Sequence, residues 1–192
     1  MSDKTIIYTT IKMDPRLNSL NAALGISSEL IAARGLRIYE EASSLVVAET
    51  AVDGREHLLI NAAAEAWHTL KTAAHDDGVS LLIVSAFRSI DRQAEIIRQK
   101  LEAGATIEQI LTISAPPGFS EHHTGRAIDL TTPGSRALEV EFEQTVAFAW
   151  LKRRAAEFGY QLSYPIGNCY GYQYEPWHWC FNDLQQTTEL AT

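Results

Sequence analysis

Residues 120–129 read Ser-Glu-His-His-Thr-Gly-Arg-Ala-Ile-Asp, and residues 175–178, near the C-terminus, read Glu-Pro-Trp-His. Within them His122, Asp129 and His178 offer two imidazoles and a carboxylate. Catalytic zinc sites use three such ligands and keep one position open, whereas structural zinc sites close the shell, usually with cysteine and histidine. The chain has only two cysteines. The pattern therefore predicts an open zinc site.

A second carboxylate accompanies these candidate ligands. Glu175 lies three residues before His178 and is not needed to complete the ligand set. A carboxylate beside such a site can take a proton from water and return it to a leaving amine. Glu175 is thus the candidate base for hydrolysis of an amide bond. His123, adjacent to His122, is the rival for the first ligand position.

The segments around this stretch predict both strands and helices. Residues 126–131 favour a strand with Ala127 and Asp129 on one face, because side chains alternate with a period of two. The branched apolar run at 79–85 is typical of a strand buried on both faces, and the aromatic run at 169–181 predicts a hairpin. Further strands are predicted at 36–39, 45–48 and 160–164, and helices at 61–77, 91–103, 106–113 and 143–158.

These elements indicate an α+β fold, in which helices flank a small, mainly antiparallel sheet. A length of 192 residues suits one domain, and no charge block or linker divides the chain. We therefore expect a single domain over 1–192. At its front, residues 4–13 lean towards a strand, residues 18–33 predict two short helices, and residues 52–55 predict a turn.

The composition limits which kinds of partner this protein can bind. A net charge of -8, from 16 Lys and Arg against 24 Asp and Glu, argues against nucleic acid, which needs a basic surface. No apolar run is long enough to span a membrane, and no protein partner is indicated. The N-terminus has neither a basic region nor a long apolar region, so the cytoplasm is expected. The periplasm is the alternative if a leader is missing from this sequence.

The sequence leaves open whether the two cysteines form a disulfide. Cys169 and Cys180 straddle the predicted hairpin and would face one another if its turn lay near residues 174 and 175, so that a disulfide would be geometrically feasible. In a reducing compartment, two small buried hydrophobic side chains are favoured instead.

Three blocks of sequence resemble one known family. They are Ser120-x-His122-x-x-Gly125-x-Ala127-x-Asp129, then Glu175-x-x-His178, and residues 85–89, Ser-Ala-Phe-Arg-Ser, followed by Gln93. The chain is similar to the VanY-type zinc D-alanyl-D-alanine carboxypeptidases, relatives of the LD-carboxypeptidases and the VanX-like D,D-dipeptidases. The family has Gly and Tyr where this chain has Ala86 and Phe87.

The resemblance runs from about residue 45 to about residue 183. It implies a hedgehog/D,D-peptidase-like zinc peptidase fold, with a peptidase core at 45–183 and an N-terminal extension at 1–44 packed on it.

The resemblance also implies roles for individual residues. The family spacing selects His122 over His123 as the zinc ligand, together with Asp129 and His178. Glu175 would be the catalytic base and Arg88 would polarise the scissile carbonyl and stabilise its oxyanion. The implied substrate-binding residues are Ser120, Gln93 and Trp177, the last as an apolar wall.

The expected function is removal of the C-terminal D-alanine from peptidoglycan stem peptides or their precursors. An LD-carboxypeptidase or a D,D-dipeptidase of the same fold is the alternative within this class, and a lytic endopeptidase is a further one. From another class comes a non-catalytic zinc-binding module, which the presence of Glu175 and Arg88 disfavours.

Overall fold

The computed structural model describes residues 14–182. Its helices and strands are, in chain order, α1 (Pro15–Ala23), α2 (Ser28–Ala33), β1 (Val46–Thr50), β2 (Glu56–Leu59), α3 (Asn61–Asp76), β3 (Leu82–Ser85), α4 (Ile90–Glu102), α5 (Ile107–Leu111), β4 (Ala127–Thr131), α6 (Val146–Arg154), β5 (Tyr160–Leu162) and β6 (His178–Phe181). Short 3-10 helices occupy Glu121–Thr124, Val140–Gln144 and Ala155–Phe158.

Local sequence explains where the helices begin. The Ser89 side chain accepts a hydrogen bond from the Arg92 backbone N–H at the start of α4. Thr106 and Gln109 form a capping box at the start of α5. Such caps satisfy backbone N–H groups that have no partner inside a helix. None of the helices within residues 14–182 is both long enough and apolar enough to cross a membrane.

The larger sheet is antiparallel and positions the site. Its strand order is β3-β4-β6-β5, and β1 and β2 pair separately. The two central strands, β4 and β6, are almost entirely buried. In their register Asp129 is directly opposite His178, so these two side chains are cross-strand neighbours. The α+β class with a small antiparallel sheet is confirmed.

Two apolar clusters hold the elements together. The first contains Trp67 of α3, Trp150 of α6 and Ile128 and Trp179 of the central strands. The second joins α1 and α2 to α4 and α5, and its members include Leu17, Leu24, Ile31, Ile97, Ile110 and Phe119. The front of the described chain thus packs against α4 and α5 through apolar contacts. The division at residue 45 into extension and core stays a prediction.

The structure corrects several strand predictions. Strand β3 is a terminal strand of its sheet, with Leu82 39% exposed, and is not buried on both faces. The hairpin predicted at 169–181 is wrong, because β6 pairs with β4 and β5. Cys169 is exposed and Cys180 is buried, and both thiols are free. Aromatic content indicated a strand here but could not identify its partner.

Other differences are smaller. Residues 36–39 are irregular, and β2 was not predicted. The helix predicted at 143–158 is α6 flanked by 3-10 turns. His57 lies buried on β2. The strand predicted at 4–13 falls outside the described residues, while the two short helices of 18–33 are confirmed as α1 and α2.

Candidate active site

The three predicted metal ligands meet at one place. Asp129 lies on β4 and His178 at the start of β6, while His122 lies in the 3-10 helix before β4. The Asp129 Oδ2 atom is 3.2 Å from His122 Nε2, and its Oδ1 atom is 3.0 Å from His178 Nδ1. All three side chains are buried, and their candidate ligand atoms lie within 4.8 Å of one another. This is the spacing of groups that share a metal ion.

The remaining nitrogen of each imidazole has a protein partner. His122 Nδ1 lies 2.6 Å from the Ala86 carbonyl oxygen, and His178 Nε2 lies 2.9 Å from Glu121 Oε2. Each of these nitrogens donates its hydrogen, which leaves His122 Nε2 and His178 Nδ1 directed at Asp129. Metal-binding histidines are typically anchored in this way. The donor set therefore fits zinc, with one carboxylate and two oriented imidazoles.

The titration of the triad follows from burial and close contact. Burial lowers the pKa of His122. Burial acts against the charged forms of Asp129 and His178 too. It is overridden for Asp129 by the contacts with His122 and then His178, and for His178 by the hydrogen bonds to Asp129 and Glu121. The pKa of Asp129 is held well below its usual range, and that of His178 is raised to about 10. A metal bound at His178 Nδ1 would replace the proton there and release it to solution.

Glu121 is a residue of the site that the sequence did not assign. Its side chain is 13% exposed and accepts the hydrogen bond from His178. The hydroxyl of Tyr39 donates to its other oxygen at 3.4 Å. The available signal was an acidic residue inside the most specific motif, directly before His122. Its partner, however, lies on a distant strand.

His123 has a structural role. Its Nδ1 donates to the Arg88 carbonyl oxygen at 2.6 Å, and its Nε2 accepts from the Gly118 N–H at 3.1 Å. The ring is completely buried, and burial lowers its pKa to about 4. Both ring nitrogens are thus engaged outside the triad. The arrangement favours His122 as the ligand, as the family spacing predicts.

Arg88 lies beside the triad, and its guanidinium is hydrogen-bonded to Gln93. Its Nη2 atom is 3.8 Å from Asp129 Oδ2, and its Nη1 donates to Gln93 Oε1 at 2.8 Å. The Gln93 Nε2 in turn donates to the Ala115 carbonyl oxygen at 2.7 Å. Gln93 is 1% exposed and does not line the cleft. In the structure Gln93 therefore orients Arg88, and its direct contact with substrate stays a prediction.

Glu175 stands next to the triad, as predicted for a base. Its Oε2 lies 3.9 Å from His178 Nδ1, and its side chain is 14% exposed. Burial raises its pKa to about 7, against the opposing effect of His178. A backbone hydrogen bond from the His178 N–H to the Glu175 carbonyl oxygen fixes the turn between them. The carboxylate is therefore positioned, and its pKa suits proton transfer near neutrality.

These groups line a cleft of about 300 Å³. Ser120 and Trp177, for which substrate binding is predicted, line this cleft. The other side chains around it include Lys100, Ile113, Ser114, Leu138, Glu139, Val140, Tyr164 and Tyr172. The cleft thus has apolar and charged walls around the triad.

Comparison with known proteins agrees with this geometry. A family model described as VanY, D-alanyl-D-alanine carboxypeptidase, matches residues 56–184. The chain belongs to the VanY family. The D-alanyl-D-alanine carboxypeptidase of Enterococcus faecalis (strain ATCC 700802 / V583) is 30% identical over 128 residues, which are 62% of this chain and 46% of that relative. The chain spans less than half the length of the curated relatives it matches.

Two solved structures show the VanY-type fold. The LdcB LD-carboxypeptidase is 28% identical with a TM-score of 0.66, covering 78% of this chain and 73% of that one. A mutant of the vancomycin resistance D,D-pentapeptidase VanY, in complex with Zn(II), is 26% identical with a TM-score of 0.57, covering 77% of this chain and 83% of that one. This protein therefore has the zinc peptidase fold that the family resemblance implied.

Proposed function

We propose that this protein is a zinc-dependent carboxypeptidase that removes the C-terminal D-alanine from peptidoglycan stem peptides or their precursors. The observation that carries the proposal is the convergence of Glu175 and Arg88 on the His122, Asp129 and His178 triad at one cleft. A VanY relative named for D-alanyl-D-alanine and a VanY structure with Zn(II) support the substrate and the metal.

The triad provides the zinc ligands. His122 would bind through Nε2, His178 through Nδ1, and Asp129 through its carboxylate, since these are the atoms that converge. When bound, zinc supplies Lewis-acid polarisation of a carbonyl oxygen and a lower pKa for water. Ala86 and Glu121 keep the two imidazoles in the required tautomers through their hydrogen bonds.

Glu175 moves the proton. Its carboxylate takes a proton from the attacking water and delivers it to the amine of the departing D-alanine. A carboxyl group with a pKa near neutrality serves both steps, because it is neither too weak a base nor too weak an acid. Its place beside His178 Nδ1 puts it within reach of the scissile amide.

Arg88 stabilises negative charge on the scissile carbonyl oxygen. Its charge is fixed, and its planar group has several donors. Its side chain is only 18% exposed, and hydrogen bonds from a positioned cation are stronger where water is excluded. Gln93 and Ser85 accept hydrogen bonds from it and so hold it in place before substrate binds.

An LD-carboxypeptidase activity is the second candidate, supported by the likeness to LdcB with a TM-score of 0.66. Purified zinc-loaded protein should be assayed on a tetrapeptide with an L-D terminal bond, on a pentapeptide ending in D-Ala-D-Ala, and on the free D-Ala-D-Ala dipeptide. Preferential cleavage of the pentapeptide would support the first candidate.

For location we propose the cytoplasm, where thiols such as the free Cys169 and Cys180 stay reduced, with the periplasm as the alternative.

Replacement of the base tests the mechanism. Glu175→Gln should retain zinc and lower kcat by roughly 100- to 10,000-fold, the usual contribution of a general acid–base group. Glu102→Gln, at the exposed end of α4, is the matched control and should keep wild-type activity. A zinc-replete Glu175→Gln protein with the wild-type rate would refute the role of Glu175.

A further inference from the structure

A lysine on the wall of the cleft is not used by the mechanism above. Lys100 of α4 is half-buried, and its Nζ donates to the Ser114 hydroxyl at 2.7 Å. Within residues 14–182 its ammonium has no carboxylate at ion-pair distance, and burial lowers its pKa. An ammonium withdrawn from water without a counter-ion costs free energy. An anionic ligand would offset that cost.

The other positive charge among the described residues of the cleft wall already has a role in the proposed reaction. Among the described residues that line the cleft, the lysine and arginine side chains are Lys100 and Arg88. Arg88 is held by Gln93 beside Asp129, where it faces the scissile carbonyl in the proposed reaction. Lys100 lines the same cleft as Arg88 and Glu175, which places it near the reacting groups. It is therefore available for a second negative charge of the substrate.

The substrate of a carboxypeptidase carries such a charge one residue beyond the scissile bond. That α-carboxylate must leave water when the terminal residue enters the cleft. Ser120 lines the cleft and can donate a hydrogen bond, but a hydroxyl cannot neutralise the charge. We propose that Lys100, together with the hydroxyl of Ser114, binds the terminal carboxylate of the substrate. This inference rests on the proposed function.

The pairing of Lys100 with Ser114 suits this task. Ser114 is 8% exposed and lines the cleft. Its oxygen accepts from Lys100, so its own hydrogen can be donated to a carboxylate oxygen. Charge-assisted hydrogen bonds of this kind are stronger than neutral ones. The pair therefore selects substrates with a free C-terminus, and its loss should raise KM more than it lowers kcat.

The test removes the charge of Lys100 and the charge of the substrate carboxylate, separately and together, and compares the effects on KM. Zinc-loaded wild-type, Lys100→Met and Lys152→Met proteins are assayed on the peptide that the wild-type protein cleaves best and on the same peptide with a C-terminal amide. Lys152, exposed in the last turn of α6, is the matched control. We expect Lys100→Met to raise KM for the free acid by roughly 10- to 100-fold. Its effect on the amide should be small, and zinc content should not change.

Two further variants separate charge from packing. Lys100→Arg keeps the positive charge and should recover most of the affinity for the free acid. Ser114→Ala is a smaller change and should raise KM for the acid alone. If Lys100→Met does not fold, these two variants decide: an acid-selective rise in KM with Ser114→Ala supports the proposal, and its absence overturns it.

The outcomes also distinguish this proposal from the function on which it rests. An equal loss on acid and amide would make Lys100 a structural residue and overturn its proposed role, while the carboxypeptidase activity would stand. A zinc-loaded wild-type protein that cleaves no acid peptide would overturn the proposed function itself, and the role of Lys100 with it.

Discussion

Gly125 lies between two of the proposed ligands and should tolerate no side chain. It follows the 3-10 helix that carries His122, and its φ of 64° is in the left-handed region. A Cβ built on it would lie 2.8 Å from Leu45 Cδ2 and 3.1 Å from the backbone nitrogen of Ile60. That nitrogen also donates a hydrogen bond to the Gly125 carbonyl oxygen at 3.0 Å. The backbone at Gly125 therefore cannot move away from Ile60 without losing this hydrogen bond.

The expected cost of Gly125→Ala has two parts. A left-handed conformation costs an alanine about 1–2 kcal/mol, and overpacking costs about 1–3 kcal/mol. Gly134→Ala is the matched control, because Gly134 has a φ of 86° and, among the described residues beyond its chain neighbours, no atom within 4 Å of a Cβ placed on it. Both substitutions reduce the freedom of the unfolded chain equally. Their difference in the free energy of unfolding therefore isolates the contact, at about 1–3 kcal/mol.

Urea denaturation of the metal-free proteins measures this difference, and zinc titration of the folded proteins shows whether the displaced backbone reaches the ligands. We expect Gly125→Ala to be the less stable of the two variants and to bind zinc more weakly, because His122 and Asp129 flank it. Equal unfolding free energies for the two variants would refute the steric argument.

Three other outcomes follow from the structure. Glu121→Gln should weaken zinc binding by roughly 10- to 100-fold, because it removes the carboxylate that anchors His178; competition with a chromophoric chelator measures this, and an unchanged Kd would contradict it. Zinc at about 100 times its Kd should add about 2.7 kcal/mol of stability, seen as a higher Tm than with chelator; an unchanged Tm would contradict it. Burial lowers the pKa of His57 below its usual value of 6.5 in the folded protein. As the pH falls, His57 is therefore protonated in the unfolded chain before it is protonated in the folded one, and stability is lost as the pH falls through 6.5. His57→Leu should lose less stability over that range, as urea midpoints at about pH 7.5 and about pH 5.5 would show.

The three proposed ligands could be picked out from the sequence because much of the pattern is local. His122 and Asp129 lie within one short motif, and the strand that begins at Ala127 fixes the direction of Asp129. The helices α3, α4 and α5 were predicted nearly to their ends, since periodicity and capping depend on neighbouring residues. The family resemblance added the order and separation of the blocks.

The pairing of the strands was harder to predict from the sequence. The pattern of β6 indicated a strand, but not that its partners are β4 and β5. Backbone hydrogen bonds between strands are the same for any pair, so an apolar run does not identify its neighbour. For the same reason β3 looked like a central strand although it ends the sheet.

The sequence by itself determined the types and the order of the residues that are proposed to carry the chemistry: two histidines, an aspartate, a glutamate and an arginine. Tertiary structure decided which residues support them. Glu121 anchors His178, Gln93 holds Arg88 and Lys100 lines the cleft, although each is ordinary in its own segment. These roles arise from contacts between distant parts of the chain, and such contacts depend on strand register and helix packing rather than on local residue type.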